Sequence, residues 1–197
     1  MGGASHLPDL TRKEFMGAIK RLLDKYPTAR FKTTGYFPQL KALLGYKYEY
    51  TLQRFDVYEF IHEVWPKMMS ECDIFIAPLS HSNYSRGKSY IKALEYGAGK
   101  KPIVLEKIEP YQEFAGDRPE EKGVLLAYSE REWFEKMEKL LLDAKLRKEN
   151  GEKLYNEVKR NHTTDNPRIV KAYADFFKKV YDMPKKILTK PPKSTNM

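Results

Sequence analysis

Two kinds of hydrophobic pattern alternate along the chain. Short, nearly continuous apolar runs at 73–79, 103–106 and 124–128 are typical of strands that are buried on both faces of a parallel sheet. In the segments between and around them, apolar residues recur every three or four positions, as they do on one face of a helix. This alternation predicts an α/β domain with a doubly wound, Rossmann-like parallel sheet, in which ligands bind beyond the carboxyl ends of the strands.

The same patterns set the expected element boundaries. Helices are predicted from Asp9 or Thr11 to just before Pro27, at 38–44, from Asp56 to about Met69 with a kink or break at Pro66, and at 88–98, 129–141, 145–160 and 167–181. Further strands are predicted at 30–34 and 46–52. The buried side of the 88–98 helix is expected to carry Ile91, Leu94 and Ala98, Gly151 is expected to weaken its helix, and the stretch around Pro110, Tyr111 and Glu113 is expected to be a loop.

The opening of the sequence is unusual for such a domain. Residues 1–9 predict a glycine-bearing loop that leads into a helix, and in a doubly wound domain a loop of that kind follows a strand. The sequence therefore starts as if just after a first strand. We expect one nucleotide-binding domain over residues 1–183 and a basic tail over 184–197 that lacks a packing pattern and is expected to be disordered or draped over the domain.

The most informative stretch for function runs from Asp73 to Glu106. A buried strand is followed by a loop with Arg86, Lys88 and Ser89, and then by a helix that carries Glu95. A strand that ends in a basic loop before a helix presents backbone N–H groups and fixed cations in one place. The stretch therefore predicts an anion site, and phosphate is the anion most often bound in this way.

Charge and cysteine content narrow the class of protein further. The formal charge is +9, and four lysines after Met183 account for part of it, which leaves about +5 for residues 1–183. This balance favours anionic partners such as nucleotides, nucleic acid or acidic lipid without choosing among them. The single cysteine, Cys72, excludes an internal disulfide and suits a reducing compartment. With no apolar run near membrane-spanning length and no signal-peptide pattern, a cytoplasmic protein is expected, with peripheral contact to an anionic membrane left open.

Several motifs in order carry a family resemblance. The runs CDIFIAPL, NYSRGKSYIKALEYGAGKKPIV and EPYQEF, together with the opening GGASHLPDL and KYPTARFKTTGYF, resemble the C-terminal, nucleotide-sugar-binding domain of GT-B fold glycosyltransferases of the group 1 type. The similarity extends over roughly residues 2–181. It implies a metal-independent transferase that takes a nucleotide-diphosphate sugar as donor substrate and needs no cofactor.

The resemblance also implies roles for individual residues. Glu95 would bind the ribose hydroxyls of the donor, because a carboxylate can accept hydrogen bonds from two vicinal hydroxyls. The remaining positions fall into two groups: the donor diphosphate would contact Arg86, Lys88, Ser89, Gly2 and Gly3, and the transferred sugar would lie near Pro78, Leu79, His81 and Asn83. No catalytic residue is assigned.

The sequence also departs from that family. Many relatives have a glutamate where Gly87 stands, and many have an Arg and a Lys soon after the first loop, whereas here the first basic residue is Arg12. The acceptor-binding domain of the family is absent from the sequence, so the acceptor domain of another chain, a second copy of this chain or a longer parent protein would have to complete the reaction. Nucleobase, sugar, acceptor, stereochemistry and oligomeric state are left open.

Competing interpretations remain at this stage. Glu95 could simply pair with Lys92 or Lys88 on a helix surface, and Arg86 could be a solvated loop cation. A nucleotide- or sugar-binding module without catalysis is the alternative to an enzyme, and nucleic-acid binding is not expected because aromatic residues are not interleaved with a basic strand face. The apolar stripe of the 167–181 helix predicts an exposed patch or an oligomer contact.

Overall fold

The structure, a computed structural model, describes residues 7–50 and 60–182, and for residues 60 and 61 the backbone only. The chain divides into two compact units, Met1–Val158 and Lys159–Met197. The predicted glycine loop at the amino end, the start of the predicted helix at Asp56 and the basic tail lie outside the described residues. The domain boundary expected near residue 183 stays a prediction.

Ten α-helices and five strands are formed by the described residues. The helices are α1 Leu7–Leu10, α2 Lys13–Lys25, α3 Pro38–Leu44, α4 Trp65–Glu71, α5 Asn83–Arg86, α6 Ile91–Ala98, α7 Glu109–Ala115, α8 Glu130–Leu142, α9 Ala144–Asn161 and α10 Pro167–Tyr181. The strands are β1 Phe31–Thr33, β2 Tyr48–Tyr50, β3 Phe75–Ala77, β4 Ile103–Glu106 and β5 Val124–Ala127. Short 3₁₀ turns at Gly45–Lys47 and Pro119–Lys122 and a π-helical turn at Phe60–Val64 complete the set.

All paired strands of the described chain are parallel. β1 pairs with β2, with Phe31 opposite Tyr48, and a second sheet has the order β3-β4-β5, with Phe75 opposite Ile103 and Ile103 opposite Val124. The predicted doubly wound, Rossmann-like α/β fold is confirmed. The hydrogen-bonded sheet, however, is in two parts instead of one continuous ladder.

Helices cover both faces of the three-stranded sheet. Side chains alternate along β4, so that Val104 belongs to a core with α2, α3 and α8, while Ile103 and Leu105 belong to a second core with α6, α7 and α9. Each core is dense in aromatic residues. In the first, Trp133 and Phe15 are both fully buried, and their rings meet edge to face with centroids 5.1 Å apart.

Most predicted elements are present with shorter boundaries. The predicted strand at 73–79 is hydrogen-bonded only at Phe75–Ala77, and the predicted strand at 46–52 begins as a 3₁₀ turn and pairs only at Tyr48–Tyr50. Pro66 lies in the first turn of α4, directly after the π-helical turn, so the predicted break occurs there. Ser129 caps α8 as predicted and forms a capping box with Glu132.

Three sequence expectations were wrong. The stretch around Pro110 and Tyr111 is the helix α7, because proline is well accommodated in a first helical turn. The predicted helix over 88–98 is divided: α5 ends at Arg86, and α6 starts only at Ile91. Ile91 and Ala98 are exposed, and the buried face of α6 is instead formed by Ala93, Tyr96 and Gly97.

Gly151 does not weaken α9 but is required by the packing of that helix. It is buried, and a Cβ atom built at this position would lie 2.1 Å from the carbonyl oxygen of Lys100. The absence of a side chain therefore allows α9 to approach the turn that leads from α6 into β4.

The second unit contains α10, which begins and ends as predicted. Asn166 caps it, with its side chain accepting a hydrogen bond from the backbone N–H of Arg168. No residue of α10 is buried, and its apolar stripe includes Tyr173, Phe176 and Phe177, each about 60% exposed. The predicted exposed apolar patch is therefore present on this helix. No helix in the described part of the chain is long and apolar enough to cross a membrane.

Candidate functional site

A buried carboxylate marks the carboxyl end of the three-stranded sheet. Glu106 is the last residue of β4 and is fully buried. Its Oε2 lies 2.6 Å from Nη1 of Arg12, and its Oε1 lies 3.0 Å from Nε2 of His81. The contact with Arg12 lacks the alignment of a hydrogen bond, so it is a close charge contact. Since an isolated buried charge is very unfavourable, the two basic partners are what make this carboxylate tolerable.

Arg12 connects three elements at this end of the sheet. It precedes α2, and its Nη1 also donates a hydrogen bond of 2.8 Å to the carbonyl oxygen of Leu79, just beyond β3. The ring of Tyr128 lies near both basic partners of Glu106, with the guanidinium carbon of Arg12 at 6.0 Å and the His81 ring at 5.0 Å. Arg12 thereby fixes the start of α2 to the ends of β3 and β4.

Asp9 forms a second junction beside the first. This buried residue of α1 accepts a hydrogen bond of 2.6 Å from the backbone N–H of Ser80, and its other oxygen lies 3.4 Å from Nζ of Lys88. The carboxylate therefore holds the loop after β3 and one of the predicted phosphate-binding cations at the same time. Lys88 is about one-fifth exposed and also lies 5.0 Å from the ring centroid of Tyr84.

The loop that carries the predicted cations is shaped by α5. Ser82 caps this short helix by accepting a hydrogen bond from the N–H of Ser85, and Arg86 forms its last turn. The guanidinium of Arg86 forms an ion pair with Glu109 of α7, and both side chains are about half exposed. Ser89 is exposed in the connection between α5 and α6. Arg86 and Lys88 are therefore each held by an acid from a different helix.

Glu95, the predicted ribose ligand, lies on α6. Its Oε2 accepts a hydrogen bond of 2.7 Å from Nζ of Lys92, which also lies 5.4 Å from the ring centroid of Trp65. The Glu95 side chain is one-third exposed. The simple intrahelical ion pair is thus formed in this structure, and part of the carboxylate remains accessible to solvent.

Tyr111 shows that these acids share one region. It is buried in α7, and its pKa is raised chiefly by burial and further by the negative charges of Asp9, Glu95 and Glu106. The two junctions and the predicted ribose ligand therefore lie within electrostatic range of one phenol. They also lie on the side of the sheet where doubly wound domains bind ligands.

Among the other predicted residues, Pro78 and Leu79 are buried directly after β3, whereas His81 and Asn83 are exposed. Gly2 and Gly3 lie outside the described residues. The sequence gave no role to Asp9 or Glu106. Glu106 carried a usable signal, because it is a charged residue that ends an otherwise apolar strand run.

The cavity of the first unit, about 540 Å³ in volume, does not coincide with the predicted donor contacts. Pro78, Leu79 and Lys92 line it, but its walls do not include Arg86, Lys88 or Glu95. Within residues 7–50 and 60–182, no group of three or more His, Cys, Asp and Glu side chains is arranged to hold a metal ion.

Comparison with known proteins gives a fold match only. No protein-family model matches the sequence, and no curated protein matches it. The fold is similar to that of a solved structure, the C-terminal domain of a glycosyl transferase group 1 family protein (LpcC) from Francisella tularensis, with a TM-score of 0.60. The two chains are 21% identical, and the match covers 80% of this chain and 82% of the other. The expected resemblance to a group 1 glycosyltransferase C-terminal domain is confirmed at the level of fold.

Proposed function

We propose that this chain is the donor-binding half of a glycosyltransferase and takes a nucleotide-diphosphate sugar. The observation that carries the proposal is the position of Arg86 and Lys88, two residues apart in one loop at the carboxyl ends of the strands, each held by a carboxylate from another helix. Two cations at this spacing suit a diphosphate, which needs charge-assisted donors for both of its phosphoryl groups.

In this proposal the diphosphate replaces acidic side chains that now occupy the cations. The Arg86–Glu109 pair is about half exposed, and exposed ion pairs contribute only about 0–1 kcal/mol, so a phosphate with greater charge can displace Glu109 at little cost. Lys88 and the half-buried Glu95 then face the second phosphate and the ribose. In the transfer step, the cations would stabilise the charge that develops on the departing nucleoside diphosphate.

The neutral variant Glu109→Gln gives a test with a distinctive sign. If Glu109 competes with phosphate for Arg86, its removal should tighten nucleotide binding by about two- to fivefold, as expected for the loss of one exposed competing pair. Arg86→Ala and Glu95→Gln should weaken binding. The matched control is Glu121→Gln, which removes the acid of the exposed Arg118–Glu121 pair.

Binding is measured by thermal shift and calorimetry with UDP-, GDP-, ADP- and TDP-sugars, because a ligand that binds only the folded state raises the melting temperature. Absence of any shift across this panel would refute both the enzyme and the binding-module hypotheses. Release of nucleoside diphosphate when acceptor and an acceptor domain are added would distinguish transfer from binding alone.

A further inference from the structure

The cavity of the first unit lies where the sheet is interrupted. Its walls include residues 28–34, which contain β1, and residues 71–79, which contain β3. These two strands belong to different hydrogen-bonded sheets. The sheet of the classic doubly wound fold has six strands in the order 3-2-1-4-5-6, and the order seen here, β2-β1 followed by β3-β4-β5, matches it with the central first strand missing.

The edge of β3 that faces away from β4 has no strand partner in the described part of the chain. Phe75 directs its N–H toward β4, where it donates to the carbonyl oxygen of Pro102 at 3.0 Å. Since backbone groups of successive residues in a strand point to opposite edges, the N–H and C=O of Ile76 point toward the other edge. β1 likewise pairs only with β2 among the described strands.

Both faces of the cavity are apolar. Ile19, Leu22 and Leu23 of α2 line it together with Met137 and Leu141 of α8, which belong to or pack against the first core. Trp65 and Tyr96, which belong to or pack against the second core, line it as well. Apolar cover on both faces is the environment of a central strand in a parallel sheet.

We propose that this slot between β1 and β3 binds an extended, apolar polypeptide segment as a sixth parallel strand, and that the segment is joined to the chain ahead of residue 1. One residue of a packed strand takes up about 160 Å³, from the 3.3 Å rise, the 4.8 Å strand spacing and the 10 Å layer spacing. A cavity of 540 Å³ therefore has room for about three residues, which is the length of both β1 and β3.

The choice of this source follows from the path of the chain. Asp9 holds the N–H of Ser80 directly beyond β3, so α1 lies at the carboxyl edge of the slot, where a parallel strand in the slot would end. Six residues precede α1, a length typical of connections from strand to helix. α2 lies against the slot and leads into β1, so it would be the crossover helix of a β-α-β unit.

The test adds the segment Val-Ile-Val-Ile-Val directly ahead of residue 1 of the full chain. The control has the same length, with proline at the second and fourth added positions, because proline cannot donate to a strand ladder. Amide hydrogen exchange is followed at Ile76 and across β1. The rate of Cys72 labelling by a maleimide gives a second readout, since this sole cysteine also lines the slot.

With the added segment, exchange at Ile76 should slow at least tenfold and Cys72 labelling at least fivefold, and the proline control should change neither. Equal protection in both proteins, or in neither, would overturn the proposal. The unmodified chain is also mixed with the free pentapeptide, which should protect Ile76 only at millimolar concentration, because the joined segment has an effective concentration in that range.

Two other outcomes would assign the slot to another occupant and thereby refute the proposed source. Saturation by the free peptide at micromolar concentration would indicate a segment of a different protein. Protection of Ile76 that rises with the concentration of the unmodified chain would indicate a second copy.

Discussion

Removal of the guanidinium at position 12 should be among the most damaging single changes in this chain. In Arg12→Ala, the fully buried Glu106 loses its contact of 2.6 Å and retains only His81 as a basic partner. Breaking a buried ion pair from one side costs about 3–5 kcal/mol, because a charge is left without compensation in a region of low dielectric constant. The carbonyl oxygen of Leu79 loses its donor as well.

For a unit of this size, each kcal/mol shifts the melting temperature by about 2–4 °C, so Arg12→Ala should melt about 6–20 °C lower. Urea unfolding followed by circular dichroism measures the same loss as a free energy. The double variant Arg12→Met/Glu106→Leu should recover much of it, because no buried charge then remains. The matched control is Arg118→Ala, whose side chain is exposed in its pair with Glu121.

A loss below about 0.5 kcal/mol in Arg12→Ala would refute this reasoning, since it would mean that Glu106 is hydrated or otherwise compensated. A double variant less stable than Arg12→Ala would also contradict it. In that case the carboxylate would be stabilising in its own right, through His81.

Three further predictions concern other parts of the first unit. Gly151→Ala should reduce the free energy of unfolding, measured in urea, by about 1–3 kcal/mol, because its Cβ would overlap the Lys100 carbonyl oxygen. The pKa of Glu132 is held below its ordinary 4.5 chiefly by the hydrogen bond from the Ser129 backbone, so its contribution to stability is present above that pH and is lost as the pH falls through the folded value. Glu132→Gln should therefore flatten the melting profile below about pH 4.5. Burial raises the pKa of the Cys72 thiol above 9.0, so maleimide labelling should be slow at pH 7 and accelerate only toward alkaline pH, and rapid labelling at pH 7 would contradict this.

The order and type of elements were largely predictable because they depend on local periodicity. The capping box of Ser129 and the proline at the start of α10 are signals contained within a few residues. The helix α7 was missed because Pro110 was interpreted as a loop residue, although proline is favourable in a first turn.

The buried face of α6 could not be predicted from the helix alone. Gly97 allows α9 to approach so closely that a Cβ there would lie 2.7 Å from Val158 and 2.9 Å from Leu154. This contact rotates the small residues Ala93 and Gly97 inward and leaves the larger Ile91 exposed. A pattern of hydrophobicity ranks Ile91 above Gly97, and only the neighbouring helix reverses that order.

The candidate site shows the same division between local and long-range information. Arg86, Lys88 and Glu95 could be selected because they lie within ten residues of one another, next to a predicted strand. Their partners could not be selected. Asp9 is 79 residues from Lys88, and Arg12 is 94 residues from Glu106, so no spacing rule connects them.

These partners change what the site requires of an anion. A basic loop read from sequence suggests cations that are open to phosphate, whereas the structure gives Arg86 and Lys88 each a carboxylate partner. The cost of displacement then differs between them. Glu109 is half exposed and can be released into water, but Asp9 is buried and also accepts the hydrogen bond from the Ser80 N–H. A diphosphate should therefore take Arg86 completely and share Lys88 with Asp9, so that the loop after β3 stays fixed while the donor binds.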